Sequence, residues 1–218
     1  AIIANELEVG FKRTGGPMIE RAADLAAILT TMEERDVLFI DEIHRLNRTV
    51  EETLYSAMED FRLDLIIGQG PSARTMNVPL KRFTLIGATT RSGLLSAALR
   101  SRFGISVRLE FYTEEELEII LERAAAVLRV PAEKEGLREL ALRARGQPRT
   151  AILLLRRVRD YVQVEGSGII TLQHAREALD SLGIDPCGLI PMDRCLLQTI
   201  IEKFCGGPVW DETLSAAL

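Results

Sequence analysis

Residues 36–44 read DVLFIDEIH, and this stretch organises the rest of the chain. Val37 to Ile40 is a short apolar run rich in β-branched and aromatic side chains, which is typical of a strand buried on both faces of a parallel sheet. Two carboxylates, Asp41 and Glu42, follow it directly. Open α/β sheets bind ligands beyond the carboxyl ends of their strands, so the two acids are predicted to lie at a binding site.

The acid pair suggests a nucleotide-hydrolysing site. Mg²⁺ keeps several waters when it binds to protein, so Asp41 is expected to hold the ion through its water shell. Glu42 is expected to orient and polarise the attacking water. Two alternatives stay open on these residues alone. The acids could cap the first turn of a helix. They could also join His44 in a metal-hydrolase site, although the chain holds only two histidines.

A second apolar run, FTLIGA at residues 83–88, is predicted to be a neighbouring strand. It ends in Thr89-Thr90-Arg91. Because parallel neighbours end at the same edge of a sheet, Thr90 is expected to lie close to Asp41 and Glu42. A hydroxyl there can contact a γ-phosphate or hold the attacking water.

Strand and helix patterns alternate in the first half of the chain, which predicts an α/β fold with a parallel sheet. Residues 63–67 and 75–80 are predicted to pair as a hairpin around the turn residues GQGPS at positions 68–72. Ile105 to Leu109 is predicted to be one more strand.

The second half of the chain has helical patterns. Thr113 and Glu116 have the spacing of a capping box, which predicts the start of a long helix. A proline-containing stretch near residue 186 is predicted to be a linker. These patterns divide the chain into an α/β domain at residues 1–112, a small all-α domain at 113–185 and the start of a third domain at 186–218.

The composition is that of an ordinary globular protein, with 218 residues, 47% of them hydrophobic, and a net charge of -5. This charge excludes a globally basic nucleic-acid coat, although arginines cluster between Arg138 and Arg159. No apolar run has the length of a membrane span, and no signal-peptide pattern occurs. The three cysteines lack CxxC spacing and are predicted to be buried thiols.

Seven segments together resemble one family, the RuvB family of bacterial Holliday-junction branch-migration ATPases, which are AAA+ motors. The resemblance runs along the whole chain, and GATTR and IGQGP are its most specific parts. The segments are DVLFIDEIHRL, IIGQGPSARTM, FTLIGATTRSGLLS, LRSRFG, LEFYT, RGQPRTAILLLRRVRD and GGPVWDETL.

This resemblance implies roles for four residues of the first domain. Asp41 and Glu42 match the Walker B pair, with Asp41 as the Mg²⁺-binding acid. Thr90 matches the sensor-1 position. Arg102, on the predicted loop LRSRFG, matches the arginine finger that acts on the ATP of the adjacent subunit.

The resemblance also implies residues around the nucleotide in the second domain and at the end of the first. Arg149 matches sensor 2, although the sequence here is GQPR where the family usually has GTPR. Tyr112 and Pro148 match positions that line the nucleotide base. The implied cofactors are ATP and Mg²⁺.

The implied partners are DNA and other proteins of junction processing. The hairpin from Leu63 to Leu80 matches the element that docks RuvA, and the chain from Met192 matches the start of a winged-helix domain that touches DNA. The family forms a homo-hexameric ring on duplex DNA and four-way junctions, and RuvC joins it in a resolvase complex. A cytoplasmic location and a role in DNA recombination and repair follow from the same resemblance.

Some features depart from the family pattern. No Gly-x-x-x-x-Gly-Lys-Thr loop, the Walker A motif, occurs in residues 1–218, and Pro79 and Trp210-Asp211 are unusual. Both ends look internal to a longer protein, so these residues alone are expected to lack ATPase activity. Two alternatives therefore remain: an adaptor without the phosphate loop that only binds partners, and another AAA+ ATPase of the clamp-loader or remodelling kind.

Overall fold

Three parallel strands form around residues 36–44 in the computed structural model. The structure describes residues 1–67, 74–165 and 167–218. Five strands occur in these ranges: β1 (Phe11–Gly15), β2 (Val37–Asp41), β3 (Arg62–Ile67), β4 (Arg74–Pro79) and β5 (Thr84–Gly87). The parallel sheet has the order β1-β2-β5, so the strand predicted from DVLFI lies at its centre.

Ten helices accompany these strands in the described part of the chain. They are α1 (Ile2–Glu6), α2 (Ala22–Leu29), α3 (Arg48–Glu59), α4 (Ala97–Arg102), α5 (Glu114–Leu128), α6 (Lys134–Arg143), α7 (Pro148–Glu165), α8 (Leu172–Ser181), α9 (Pro191–Phe204) and α10 (Asp211–Ala217). The chain divides into two compact units, Ala1–Val107 and Arg108–Leu218.

The central strand is buried as its sequence predicts. Val37, Leu38 and Ile40 are at most 1% exposed, which confirms the expected buried strand. Asp36 fixes its beginning, because its carboxylate accepts hydrogen bonds from the amides of Gly10 and Glu33, each at 2.9 Å. The parallel register pairs Gly15 with Asp41 and Ile40 with Gly87, so the three strands end at one edge of the sheet.

Both strands of the predicted hairpin are present. β3 and β4 pair antiparallel, from Arg62 with Pro79 to Ile67 with Arg74. The turn predicted at residues 68–72 lies outside the described residues. Leu63 is fully buried and packs into the core of the first unit together with α2 and α3.

Two sequence predictions for other parts of the chain are wrong, and one strand was not predicted. Residues 105–109 form no strand, and Ile105, Val107 and Leu109 are 75–91% exposed. A strand needs a hydrogen-bonded neighbour, and this segment pairs with none in the described part of the chain. β1 was not predicted, because FKRTG carries charge and little apolar surface. The three cysteines are exposed rather than buried.

The second unit is helical, as predicted. The Thr113–Glu116 capping box begins α5: the Thr113 amide donates to Glu116 Oε2, at 2.9 Å, and the Glu116 amide donates to Thr113 Oγ1. Helices α5 to α8 enclose an apolar core that includes Leu121, Leu140 and Leu155. By contrast, α9 and α10 bury only Thr199 among their residues.

Across the described ranges, no helix has both the length and the apolar character needed to cross a membrane.

Candidate nucleotide-hydrolysis site

The acid pair lies at the sheet edge, where β2 ends. Glu42 follows the strand in the left-handed backbone conformation, with φ 48° and ψ 47°, and its amide donates to Asp41 Oδ1 at 3.1 Å. For a residue other than glycine this conformation costs on the order of 1–3 kcal/mol and is typical of functional sites. Gly16 permits it, because a Cβ on Gly16 would lie 2.5 Å from the Glu42 carbonyl oxygen.

Thr90 contacts the second acid, as its position after β5 predicts. The Thr90 hydroxyl lies 3.1 Å from Glu42 Oε2 and 3.3 Å from Oε1, so it donates a hydrogen bond to the carboxylate. The parallel pairing of β2 with β5 brings the two residues together. The expected proximity of Thr90 to Glu42 is therefore confirmed, whereas a sensor role stays a prediction.

His44 supports the same carboxylate from a buried position. It lies on a short 3₁₀ turn, Ile43–Arg45, and its side chain is 8% exposed. Its Nδ1 lies 2.8 Å from Thr89 Oγ1 and 3.2 Å from Glu42 Oε2. A carboxylate can only accept, so a proton on Nδ1 makes the contact with Glu42 favourable.

Asp41 is the acid that could hold a metal ion. Its side chain is 44% exposed, and Oδ2 forms an ion pair with Arg13 on β1 at 3.2 Å. Arg13 was missed by sequence reasoning, because β1 was not recognised as a strand. No group of three or more His, Cys, Asp or Glu side chains forms a metal site among the described residues.

These surroundings fit Mg²⁺ better than a protein-caged metal. Mg²⁺ is usually bound by one or two carboxylates together with waters and nucleotide phosphates. Asp41, a half-exposed carboxylate at a strand end, offers that donor type. The alternative metal-hydrolase site of Asp41, Glu42 and His44 is not formed among the described residues, and His44 Nδ1 makes its shortest contact with Thr89 Oγ1, at 2.8 Å.

Arg102 is the last residue of α4 rather than part of the predicted loop. Its guanidinium carbon is 4.2 Å from the centre of the Tyr55 ring, and its Nε is 3.1 Å from Glu59 Oε1. Its Nη1 donates to the Ala98 carbonyl at 2.8 Å. Arg102 therefore has neighbours on α3 that the sequence did not reveal.

Tyr112 and Pro148, predicted to line the base, and Arg149, predicted to be sensor 2, belong to the second unit. The Tyr112 amide donates to the Gly146 carbonyl at 3.0 Å, which places Tyr112 beside the turn before Pro148. Gly146 has φ +73°, and a Cβ there would meet Phe111 Cβ at 2.7 Å. Pro148 is the first residue of α7, where its missing amide is harmless, and Arg149 is exposed next to it.

Comparison with known families identifies both parts of the chain. Residues 1–109 match the model for the Holliday junction DNA helicase RuvB P-loop domain, and residues 112–185 match the model for the RuvB AAA lid domain. The chain belongs to the RuvB family. Its first unit is accordingly an α/β AAA+ fold, and the clamp-loader alternative is set aside.

Individual RuvB proteins agree with this assignment. The chain is 59% identical over 217 residues to the RuvB subunit of the Holliday junction branch migration complex of Paracoccus denitrificans. The aligned region covers 100% of this chain and 64% of the Paracoccus denitrificans protein, so the chain spans less than two thirds of the length of this relative.

Solved structures of RuvB share the fold. A Thermotoga maritima RuvB mutant is 47% identical, with a TM-score of 0.89 over 99% of this chain and 68% of its own. The structure described as the T. maritima RuvB Holliday junction branch migration motor is 48% identical, with a TM-score of 0.86 over 99% of this chain and 67% of its own.

Proposed function

We propose that this chain forms the ATPase and lid parts of a motor that uses ATP hydrolysis to drive Holliday junction branch migration in DNA recombination and repair. Membership of the RuvB family supports the proposal. The observation that carries the chemistry is the Glu42 carboxylate, held by Thr90 and faced by His44 at the edge of a parallel sheet.

In this proposal Glu42 orients the attacking water and accepts its proton. Phosphoryl transfer needs positioning and charge stabilisation more than covalent chemistry, so a fixed carboxylate is the central requirement. The Thr90 hydroxyl fixes one oxygen of Glu42, and its position also suits a contact with the γ-phosphate. Oε1, which has the longer contact with Thr90 at 3.3 Å, would accept the hydrogen bond from the attacking water.

Asp41 would hold Mg²⁺ at the same edge. When bound, the ion would neutralise charge on the nucleotide phosphates. Arg13 forms an ion pair with Asp41, and we propose that it keeps this carboxylate oriented towards the sheet edge.

Arg102 would act on the ATP of a neighbouring subunit in a homo-hexameric ring. An arginine supplied in this way is worth on the order of 10³–10⁵ in rate in related systems. Tyr112 and Pro148 would line the base, and Arg149 would contact the phosphates and link hydrolysis to movement of the lid.

The partners would be duplex DNA and four-way junctions, together with other proteins of junction processing. We assign RuvA docking to the hairpin from Leu63 to Leu80, DNA contact to the region from Met192 onward, and a resolvase complex to RuvC. A cytoplasmic location belongs to the same proposal.

The test uses an extended protein, in which residues 1–218 are joined to the flanking segments of the Paracoccus denitrificans relative. We expect it to hydrolyse ATP and migrate a synthetic four-way junction. Glu42→Gln should retain ATP binding and lose roughly 10²–10⁴-fold in kcat. Turnover near the unsubstituted rate in Glu42→Gln would remove Glu42 from its proposed role.

A matched experiment distinguishes the motor from an adaptor. Residues 1–218 alone, which contain no Gly-x-x-x-x-Gly-Lys-Thr loop, should show no turnover. If the extended protein also lacks turnover but still binds RuvA, the adaptor function is favoured. Sustained Asp41-dependent turnover by residues 1–218 would contradict the expectation that ATP hydrolysis needs such a loop.

A further inference from the structure

The guanidinium of Arg102 packs against α3. Its Cζ lies 4.2 Å from the centre of the Tyr55 ring, and its Nε lies 3.1 Å from Glu59 Oε1, an ionic contact without the alignment of a hydrogen bond. Its side chain is 23% exposed, and Nη1 is bonded to the Ala98 carbonyl. An arginine on a flexible stem loses much rotamer freedom when it binds an anion, so contacts that fix it beforehand favour binding.

Tyr55 is itself fixed to the helix that carries Arg102. Its hydroxyl donates to Glu51 and lies 3.1 Å from Ser96 Oγ, and Ser96 also contacts Glu51. Ser96 is the N-cap of α4, where its Oγ accepts from the Leu99 amide at 3.0 Å. Burial and the Glu51 carboxylate raise the pKa of Tyr55, so its hydroxyl remains a donor.

Helix α3 follows the acid pair closely in the chain. Only residues 43–47 separate Glu42 from α3, and they include the 3₁₀ turn Ile43–Arg45 and the N-cap Asn47. The turn is fixed to the sheet, because the Ile43 amide donates to the Ala88 carbonyl at 2.9 Å. Thus α3 connects the acids of one subunit to the arginine of the same subunit.

From these contacts we propose that Tyr55 and Glu59 are positioning residues for the arginine finger: they hold the Arg102 guanidinium in the orientation in which it meets the nucleotide of the adjacent subunit. The inference rests on the proposed trans role of Arg102. It assigns the stacking surface to Tyr55, the ionic contact to Glu59, and the fastening of α4 onto α3 to Glu51 and Ser96.

The first measurement is steady-state ATPase of the extended protein. Tyr55→Leu removes the ring and should lower kcat by roughly 10²-fold, the cost of a small misplacement of a catalytic group, with KM for ATP unchanged. Tyr55→Phe keeps the ring and should retain most of kcat. Glu59→Gln should lower kcat by about two- to fivefold, since it removes the charge of a half-exposed, weak ion pair and keeps the shape.

Matched controls separate positioning from a general effect on α3. Glu52→Gln removes a carboxylate from the same helix, where Glu52 pairs with exposed Arg48 at 3.0 Å, and should leave kcat unchanged. Equal losses in Glu52→Gln and Glu59→Gln would overturn the inference. Arg102→Ala should be the most damaged variant, and its retention of wild-type kcat would instead overturn the proposed trans role of Arg102.

Mixing subunits gives a readout that a merely structural role does not move. Glu42→Gln subunits have an intact arginine finger, and Tyr55→Leu subunits have an intact acid. In mixed rings, the arginine finger of a Glu42→Gln subunit should restore hydrolysis at the nucleotide site of a neighbouring Tyr55→Leu subunit. The ATPase activity of the mixture should therefore exceed the summed activity of the two separate preparations. Activity no greater than that sum, with Arg102→Ala complemented in the parallel mixture, would show that Tyr55 does not act through the finger.

Discussion

The hydroxyl of Thr90 lies 3.1 Å from Oε2 of Glu42, although 48 residues separate them in the chain. Thr90→Val removes this donor with little change in volume. We expect kcat of the extended protein to fall by roughly 10²-fold, because the carboxylate that orients water loses a fixed orientation. Thr90→Ser keeps the hydroxyl and is the matched control. Equal activity of the valine and serine variants would contradict this role.

His44 gives a second test of how Glu42 is held. His44→Phe keeps a ring in a nearly buried position but removes the Nδ1 contact at 3.2 Å from the carboxylate. We expect kcat to fall by about tenfold, on the scale of one hydrogen bond to a charged group, with KM for ATP unchanged. His174→Phe, in the second unit, is the control and should keep wild-type kcat. A loss confined to KM would argue against a role through Glu42.

The second unit contains a buried ion pair whose loss should destabilise it. Arg143 is 3% exposed, and its Nη2 lies 2.8 Å from Glu139 Oε1. Arg143→Ala leaves the buried Glu139 carboxylate with only an exposed partner, Arg176, so the free energy of unfolding should fall by about 3–5 kcal/mol. Arg176 contacts the same carboxylate from a 57% exposed side chain, and Arg176→Ala should cost about 0–1 kcal/mol. Urea unfolding of residues 1–218 measures the free energy of unfolding of each variant. A similar loss in Arg143→Ala and Arg176→Ala would contradict the expected difference between them.

Stability should also depend on the ionisation of Asp185. The Leu189 amide, with the Cys187 amide and Arg194, outweighs partial burial and lowers the pKa of Asp185. A lowered folded-state pKa stabilises the fold above the ordinary aspartate pKa of about 3.9, and this stabilisation is lost as pH falls through the folded-state pKa.

Asp185→Asn removes this charge and keeps an acceptor for the two amides. Its melting temperature should lie below that of the unsubstituted chain at pH 7, and the two should converge in acid. Thermal unfolding followed by circular dichroism across this range measures the difference. A gap that persists unchanged into acid would mean that charge is not the cause.

Sequence reasoning succeeded where one local signal determined the structure. The apolar run before Asp41 predicts a buried strand, and parallel geometry then places Thr90 beside Glu42. It failed where a neighbour decides the outcome. β1 is a strand because β2 pairs with it, despite its polar sequence, whereas residues 105–109 have a strand-like sequence and no partner among the described residues.

The contacts of Arg102 show a second limit. Its neighbours Tyr55 and Glu59 lie on another helix, and nothing in the spacing of residues along the chain connects them with LRSRFG. The sequence resemblance assigned a role to Arg102 from its motif alone. Cross-helix packing, which sequence periodicity does not specify, decides how that arginine is held.

The close approach of Gly16 to the Glu42 carbonyl has a consequence for how this protein can vary. Gly16 carries no functional group, yet any side chain there would press on the backbone that aims the acid. Substitution of Gly16 should thus be as poorly tolerated as substitution of Glu42 itself. A survey of all single substitutions would therefore report Gly16 as essential although it has no side chain, because the backbone that orients the acid needs the space that a side chain would fill.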